Sequence, residues 1–154
     1  QGWTTYEPMT FFESNGLSAM SYAFPAAMAA SLVFPDRPVL CTIGDGGFGM
    51  TMVDVETCVR LRLPIVTVVF NDCSLSLIQV AQARRGLADV GVRYGKINFG
   101  AAAEAFGAWG RRVRSLDELG AAVDEGRGTG RPVVIDVPVD PAEYRMHSAP
   151  PTVT

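Results

Sequence analysis

Little in this sequence asks for a metal cluster, a membrane or a nucleic acid. Cysteine is scarce: Cys41, Cys58 and Cys73 lie far apart with no C-x-x-C pair, which excludes a zinc cluster and a disulfide framework. Three isolated thiols read as reduced, in an intracellular, cytoplasmic setting. The single histidine, His147, sits in a proline-bearing tail and reads as exposed and inert. No basic excess is present either. The net charge is -3, which leaves no electrostatic footprint for nucleic acid or an anionic membrane. The longest apolar run, Tyr22 to Val33, contains Pro25 and falls short of the roughly 20 residues a bilayer span takes. The chain opens on Gln1 with no initiator methionine and no signal-peptide pattern, so we expect further polypeptide upstream.

What is present suits one globular domain. At 154 residues and 48% apolar content the chain can bury a sizeable core. We expect a domain over residues 1–147 and a flexible tail over 148–154. Ser18 to Phe34 is small and apolar, a tightly packed helix closed by Pro35. Pro38 to Ile43 is a short apolar run ending in glycines, a buried strand. Met52, Val55, Val59 and Leu63 recur at helical spacing after the glycines. Pro64 to Phe70 is β-branched and continuous, a strand covered on both faces. Asn71 to Ser74 reads as a loop, and Ser76 with Gln79 as a capping box that starts another helix. A less regular, Arg- and Gly-rich connection over 81–98 follows. Then come a helix near Phe99 to Ala108, a strand at Arg112 to Arg114, a helix from Ser115 to about Gly126 started by Ser115 and Glu118, and a last strand at Pro132 to Val137. Strands alternating with helices imply an α/β fold of the doubly wound kind: three layers, α/β/α, with a mainly parallel sheet. Ligands bind such sheets at the carboxyl ends of strands, where Asp45 and Asp72 both fall.

The stretch CTIGDGGFGM, Cys41 to Met50, carries the chemistry. Gly44, Gly46 and Gly49 spell a G-x-G-x-x-G. A hairpin at Asp45-Gly46 would need a strand behind it, and the pattern behind it is helical. A dinucleotide fingerprint has the right context, and Asp72 arrives 23 residues after Gly49. Electrostatics argue against it. Two unit charges about 4 Å apart repel by roughly 4 kcal/mol at an effective dielectric of 20, and Asp45 sits where the diphosphate goes. A divalent cation reverses that sign, with Asp45 as its ligand and diphosphate oxygens filling other places in an octahedral shell.

Gly44-Asp45-Gly46, then 25 residues, then Asp72 after Asn71, resembles the thiamine-diphosphate motif, which begins Gly-Asp-Gly and ends Asn-Asn or a close variant. The segment Ser14 to Ala27 is similar to the one preceding that motif in acetolactate synthase-like enzymes. The resemblance covers about Phe11 to Tyr144. It implies the diphosphate-binding domain of a thiamine-diphosphate enzyme. Mg2+ would be held by the Asp45 and Asp72 side chains and the Ser74 carbonyl. Gly46 and Gly47 would offer amides to the diphosphate beside Gly44. Met20 would lie under the bent cofactor, and the Ser18 carbonyl would accept from the aminopyrimidine. Rival readings stand beside these: Asp72 as an Asx-turn residue, Glu56 as a solvated carboxylate, Arg84 and Arg85 as solvated helix charges.

The chain departs from the family pattern in places. Asp72 replaces an asparagine and adds charge. Ile78 stands where pyruvate decarboxylases carry a glutamate, which resembles the carboligating branch, yet Ala81 stands where acetolactate synthases place a tryptophan. By this resemblance the parent activity is decarboxylation of a 2-oxo acid with carboligation or transfer. The family's activating glutamate belongs to a pyrimidine-binding domain, which has no counterpart in these 154 residues. No catalytic residue is therefore expected in this chain, which would be inactive alone, a fragment or one piece of a split enzyme. The complete enzyme would be a homodimer or homotetramer. The alternatives are an NAD-dependent dehydrogenase domain and a non-catalytic cofactor-binding or assembly module.

Overall fold

A computed structural model describes residues 3–142; the tail 148–154 and His147 lie outside the described residues. The elements, in order, are α1 (Ala23–Val33), β1 (Val39–Gly44), α2 (Asp45–Thr51), α3 (Asp54–Leu61), β2 (Ile65–Asn71), α4 (Ser76–Arg84), α5 (Phe99–Ala105), β3 (Trp109–Arg112), α6 (Leu116–Gly128) and β4 (Val133–Pro138). The four strands form one sheet in the order β1-β2-β4-β3, and every pairing is parallel. The expected α/β class and parallel sheet are what the chain adopts.

Alternation along the strands separates two core clusters, one per sheet face. Cys41, Ile43, Ile65, Val69 and Val134 point into the larger, where α1, α2, α3 and α5 contribute Phe24, Phe48, Val55, Cys58, Phe99 and Ala103. Val66, Val133 and Ile135 point the other way, against Leu119, Ala122 and Val123 of α6. Helices therefore cover both faces, as the continuous apolar strands require. The cover on the α6 side is partial: Leu40 on β1 and Phe70 on β2 are 48% and 40% exposed.

Several boundaries differ from expectation. The first helix starts at Ala23, because Ser18 and Ser21 take positive φ values of 46° and 73°, which no helix accommodates. Asp45 to Thr51 is not a loop but a helix: the glycines fall in its first turns, where tertiary packing overrides their low helix propensity. The strand expected at 112–114 runs over Trp109–Arg112. Ser76 makes no capping box; Leu75 is the N-cap and offers no side-chain bond. At α6 the sequence signal holds. Ser115 Oγ accepts from Glu118 N at 3.1 Å, and Glu118 Oε2 accepts from Arg114 N at 2.7 Å.

Phe48 explains how a glycine-rich helix is held down. Its fully buried ring meets Phe24 of α1 at 5.2 Å and 80°, and Phe99 of α5 at 5.5 Å and 75°, the edge-to-face arrangement aromatic quadrupoles favour. Three helices are pinned to one another at that point. Where α5 meets β3, Gly100 and Gly110 touch backbone to backbone, and a Cβ on Gly100 would stand 2.7 Å from the Arg111 carbonyl carbon. Phe48→Ala should lower unfolding free energy by about 3–5 kcal/mol, read as a reduced denaturant midpoint at unchanged slope.

Candidate functional site

The site begins where β1 hands over to α2. Asp45 is the first helical residue, 4% exposed, a position where helix amides and dipole favour a carboxylate. Its Oδ1 accepts from Gly46 N at 2.7 Å, and its Oδ2 accepts from Cys73 N, also at 2.7 Å. Because β1 and β2 are adjacent and parallel, the second bond ties one strand tip to the loop leaving the next. Cys73 turns back through a positive φ of 59° to present that amide.

The loop itself is closed by Asp72. Its Oδ1 accepts from Ser74 N at 2.9 Å and its Oδ2 from Ser76 Oγ at 2.5 Å. The first of these is an Asx turn, so the rival reading of Asp72 describes its present hydrogen bonding. The missed capping box has the same cause, since the Ser76 hydroxyl is spent on Asp72. Ser74 forms an antiparallel bridge with Arg93. Its bonds run from Leu75 N to Val92 O and from Tyr94 N to Cys73 O, so the Ser74 carbonyl takes no part in the bridge.

Gly46 and Gly47 are where close approach matters. A Cβ on Gly46 would stand 2.6 Å from Leu75 Cδ2, 3.3 Å from Met20 Cε and 3.5 Å from Tyr94 Oη. One on Gly47 would stand 3.2 Å from Ser21 N. A side chain at either position would collide with these neighbours, so only glycine allows the segment to pack this closely. Met20 thus lies against Gly46, while Ser18 is exposed and its hydroxyl bonds back to Ser14 O at 3.2 Å. Gly44 ends β1 as the N-cap of α2 in extended conformation. Ser21 Oγ, 2.7 Å from Thr51 Oγ1, anchors the 18–22 segment over the end of α2.

Behind the loop lies a buried polar network. Asn71 Nδ2 donates to Asp136 Oδ1 at 2.8 Å and to Ile97 O at 2.9 Å, while Asn71 Oδ1 receives Cys73 N at 3.3 Å. Asp136 is fully buried and also meets Phe99 N at 3.3 Å and Arg112 Nη1 at 3.5 Å. Burial pushes its pKa up, against the opposing pull of Asn71, Arg112 and the Phe99 amide. Sequence reasoning passed over Asp136, although an acid inside Val-Val-Ile-Asp-Val is a signal that a buried partner exists. It also missed Tyr94, whose stretch has no periodicity. Burial first, then the Asp45 carboxylate as a nearby acceptor and as a charge, then the charge of Asp72, hold the Tyr94 hydroxyl protonated well above the usual phenol range.

Glu56 is exposed and pairs with Arg60 at 3.2 Å. Arg84 and Arg85 are exposed. Burial lifts the Cys41 and Cys58 thiols to about 12, which leaves them unreactive at neutral pH. Among the described residues no group of three or more His, Cys, Asp or Glu side chains is placed to hold a metal; two carboxylates with a backbone carbonyl make a smaller set. No helix among the described residues is long and apolar enough to cross a membrane. An open cleft of about 710 Å³ runs from Asp72, Ser74 and Ser76 along α4.

With this geometry in place, known proteins give a consistent picture. The family described as "Thiamine pyrophosphate enzyme, C-terminal TPP binding domain" matches residues 1–137. Acetolactate synthase of Bacillus subtilis is 41% identical over 136 residues, 88% of this chain and 24% of that protein. Pyruvate oxidase of Lactiplantibacillus plantarum is 32% identical over 145 residues, 88% of this chain and 24% of its own length. The chain thus spans about a quarter of these curated relatives. Among solved structures, a thiamine diphosphate-dependent 4-hydroxybenzoylformate decarboxylase from Rhodococcus jostii superposes with a TM-score of 0.73 at 23% identity, covering 79% of this chain and 23% of that one; that likeness concerns the fold.

The Asp136 network makes a pH prediction. A carboxyl whose folded pKa is raised contributes stability in full below its unfolded value, and that contribution is lost as pH rises through the folded pKa. Stability in denaturant titrations should fall as pH climbs from about 4, and Asp136→Asn should flatten that slope.

Proposed function

Since the chain belongs to the thiamine pyrophosphate enzymes, as their C-terminal cofactor-binding domain, we propose that it binds thiamine diphosphate through Mg2+ at the joined tips of β1 and β2. Asp45 and Asp72 would each give a carboxylate oxygen and Ser74 its carbonyl, which the bridge to Arg93 leaves out. These are the hard oxygen ligands Mg2+ takes, with phosphate oxygens completing the shell. Asp72 would exchange its local hydrogen bonds for the ion. Gly46 and Gly47 would let the anion reach bare backbone, and Met20, against Gly46, would support the cofactor's apolar part. The observation that carries this reading is the Asp45 carboxylate, buried and 2.7 Å from Cys73 N, which sets an acid between two strand ends.

Bound there, thiamine diphosphate supplies a carbanion-stabilising centre for 2-oxo acid chemistry. This chain's own contribution is to bind and orient. Its relatives include a synthase and an oxidase, and we read this chain as part of a cytoplasmic, acetolactate synthase-like enzyme that decarboxylates a 2-oxo acid with carboligation or transfer. Ile78, half-exposed on α4, is apolar where the decarboxylating branch would carry an acid, which supports the carboligating reading. Leu17, Met20, Met50 and Val53 are 100%, 46%, 61% and 65% exposed. Apolar surface at the end of α2 and the segment above it suits a pyrimidine-binding domain closing over the cofactor, within a homodimer or homotetramer. Without that domain the chain would be inactive.

Calorimetric titration with thiamine diphosphate tests the binding. Affinity should require Mg2+ and vanish with EDTA, and Asp45→Asn should weaken it by more than roughly 100-fold. Binding of NADH without metal, with indifference to thiamine diphosphate and Mg2+, would contradict the proposal.

A further inference from the structure

Tyr94 approaches the same cradle from the irregular segment. Its amide is fixed to Cys73 O at 3.3 Å, beside the Ser74–Arg93 bridge, so its ring is carried by the loop that holds Asp72. The hydroxyl lies 3.5 Å from where a Cβ on Gly46 would stand, with Leu75 and Met20 on the other sides of that point. The oxygen is buried and makes no hydrogen bond. Asp45 is the acceptor nearest the phenol and acts on it, but no hydrogen bond of ordinary length and angle closes between them; the Asp45 oxygens accept instead from Gly46 N and Cys73 N. Apolar packing against Leu75 and Met20 would be served equally well by phenylalanine. A buried phenol needs an acceptor, and the acceptor has to be brought in.

We propose that Tyr94 is a further cofactor-binding residue, whose hydroxyl donates a hydrogen bond to an oxygen of the Mg2+-bound diphosphate. The assignment rests on the reading of Asp45, Asp72 and Ser74 as the metal site. It follows from position: Tyr94 stands beside Gly46, the residue after Asp45, where an anion held through a cation on Asp45 would be within its reach, and a neutral phenol could help an anion there only as a donor. The contact would be charge-assisted, the stronger kind of hydrogen bond.

The experiment is a calorimetric titration of the full chain and of Tyr94→Phe, each in MgCl2, with thiamine diphosphate and separately with inorganic pyrophosphate, alongside the thermal midpoint of each protein without ligand. Tyr94→Phe should weaken both ligands by roughly tenfold or more, with a ligand-free midpoint equal to or above that of the unchanged protein. Equal affinities in the two proteins would overturn the assignment and leave the metal site standing. A weaker affinity accompanied by a lowered ligand-free midpoint would also overturn it, making Tyr94 structural. Failure of the unchanged chain to bind either ligand would overturn the metal-site reading and this inference with it.

Discussion

The hydrogen bond from Cys73 N to Asp45 Oδ2 joins two elements that the chain separates by 28 residues. A carboxylate this deeply buried is costly to desolvate, and its two amide partners, each worth about 1.5–3 kcal/mol when the acceptor is charged, offset that cost. If either strand tip shifts, Oδ2 loses its Cys73 partner and only the Gly46 amide is left to the charge. The parallel register of β1 and β2, which pairs Gly44 with Phe70, is therefore bound up with the geometry of the site.

Supports on both sides keep the tips in place. On one, the Phe24–Phe48–Phe99 stack seats a seven-residue helix containing three glycines, whose sequence would not hold a helix by propensity. On the other, Asn71 reaches Asp136 across the β2–β4 pairing and returns its carbonyl oxygen to Cys73 N. The second arrangement places a buried acid with a raised pKa two bonds behind the site, so loop geometry and protonation of the core are linked.

Much of this was legible from residues alone because it rests on local pattern. The β-branched run before Asn71 could only be a covered strand, and Ser115 with Glu118 could only start a helix. Gly44-Asp45-Gly46 with Asp72 pointed to the cofactor-binding family, and that membership is what the comparisons show. What the sequence concealed depends on distant partners. Glycines 46, 47 and 49 read as loop because the Phe48 contacts that hold them helical come from residues 24 and 99. Ser76 looked like a cap because nothing local shows that Asp72 Oδ2 takes its hydroxyl. Tyr94 was invisible, since only the bridge between residues 74 and 93 brings it to the site.

The central claim is that a divalent cation sits between the β1 and β2 tips. Crystals of the chain grown with thiamine diphosphate and Mn2+ in place of Mg2+ would locate it by anomalous scattering. The account predicts one strong peak within about 2.0–2.3 Å of a carboxylate oxygen of Asp45, one of Asp72 and the Ser74 carbonyl oxygen. A cofactor ordered in the cradle with no peak there, and with Asp72 still bonded to Ser74 N and Ser76 Oγ, would contradict it.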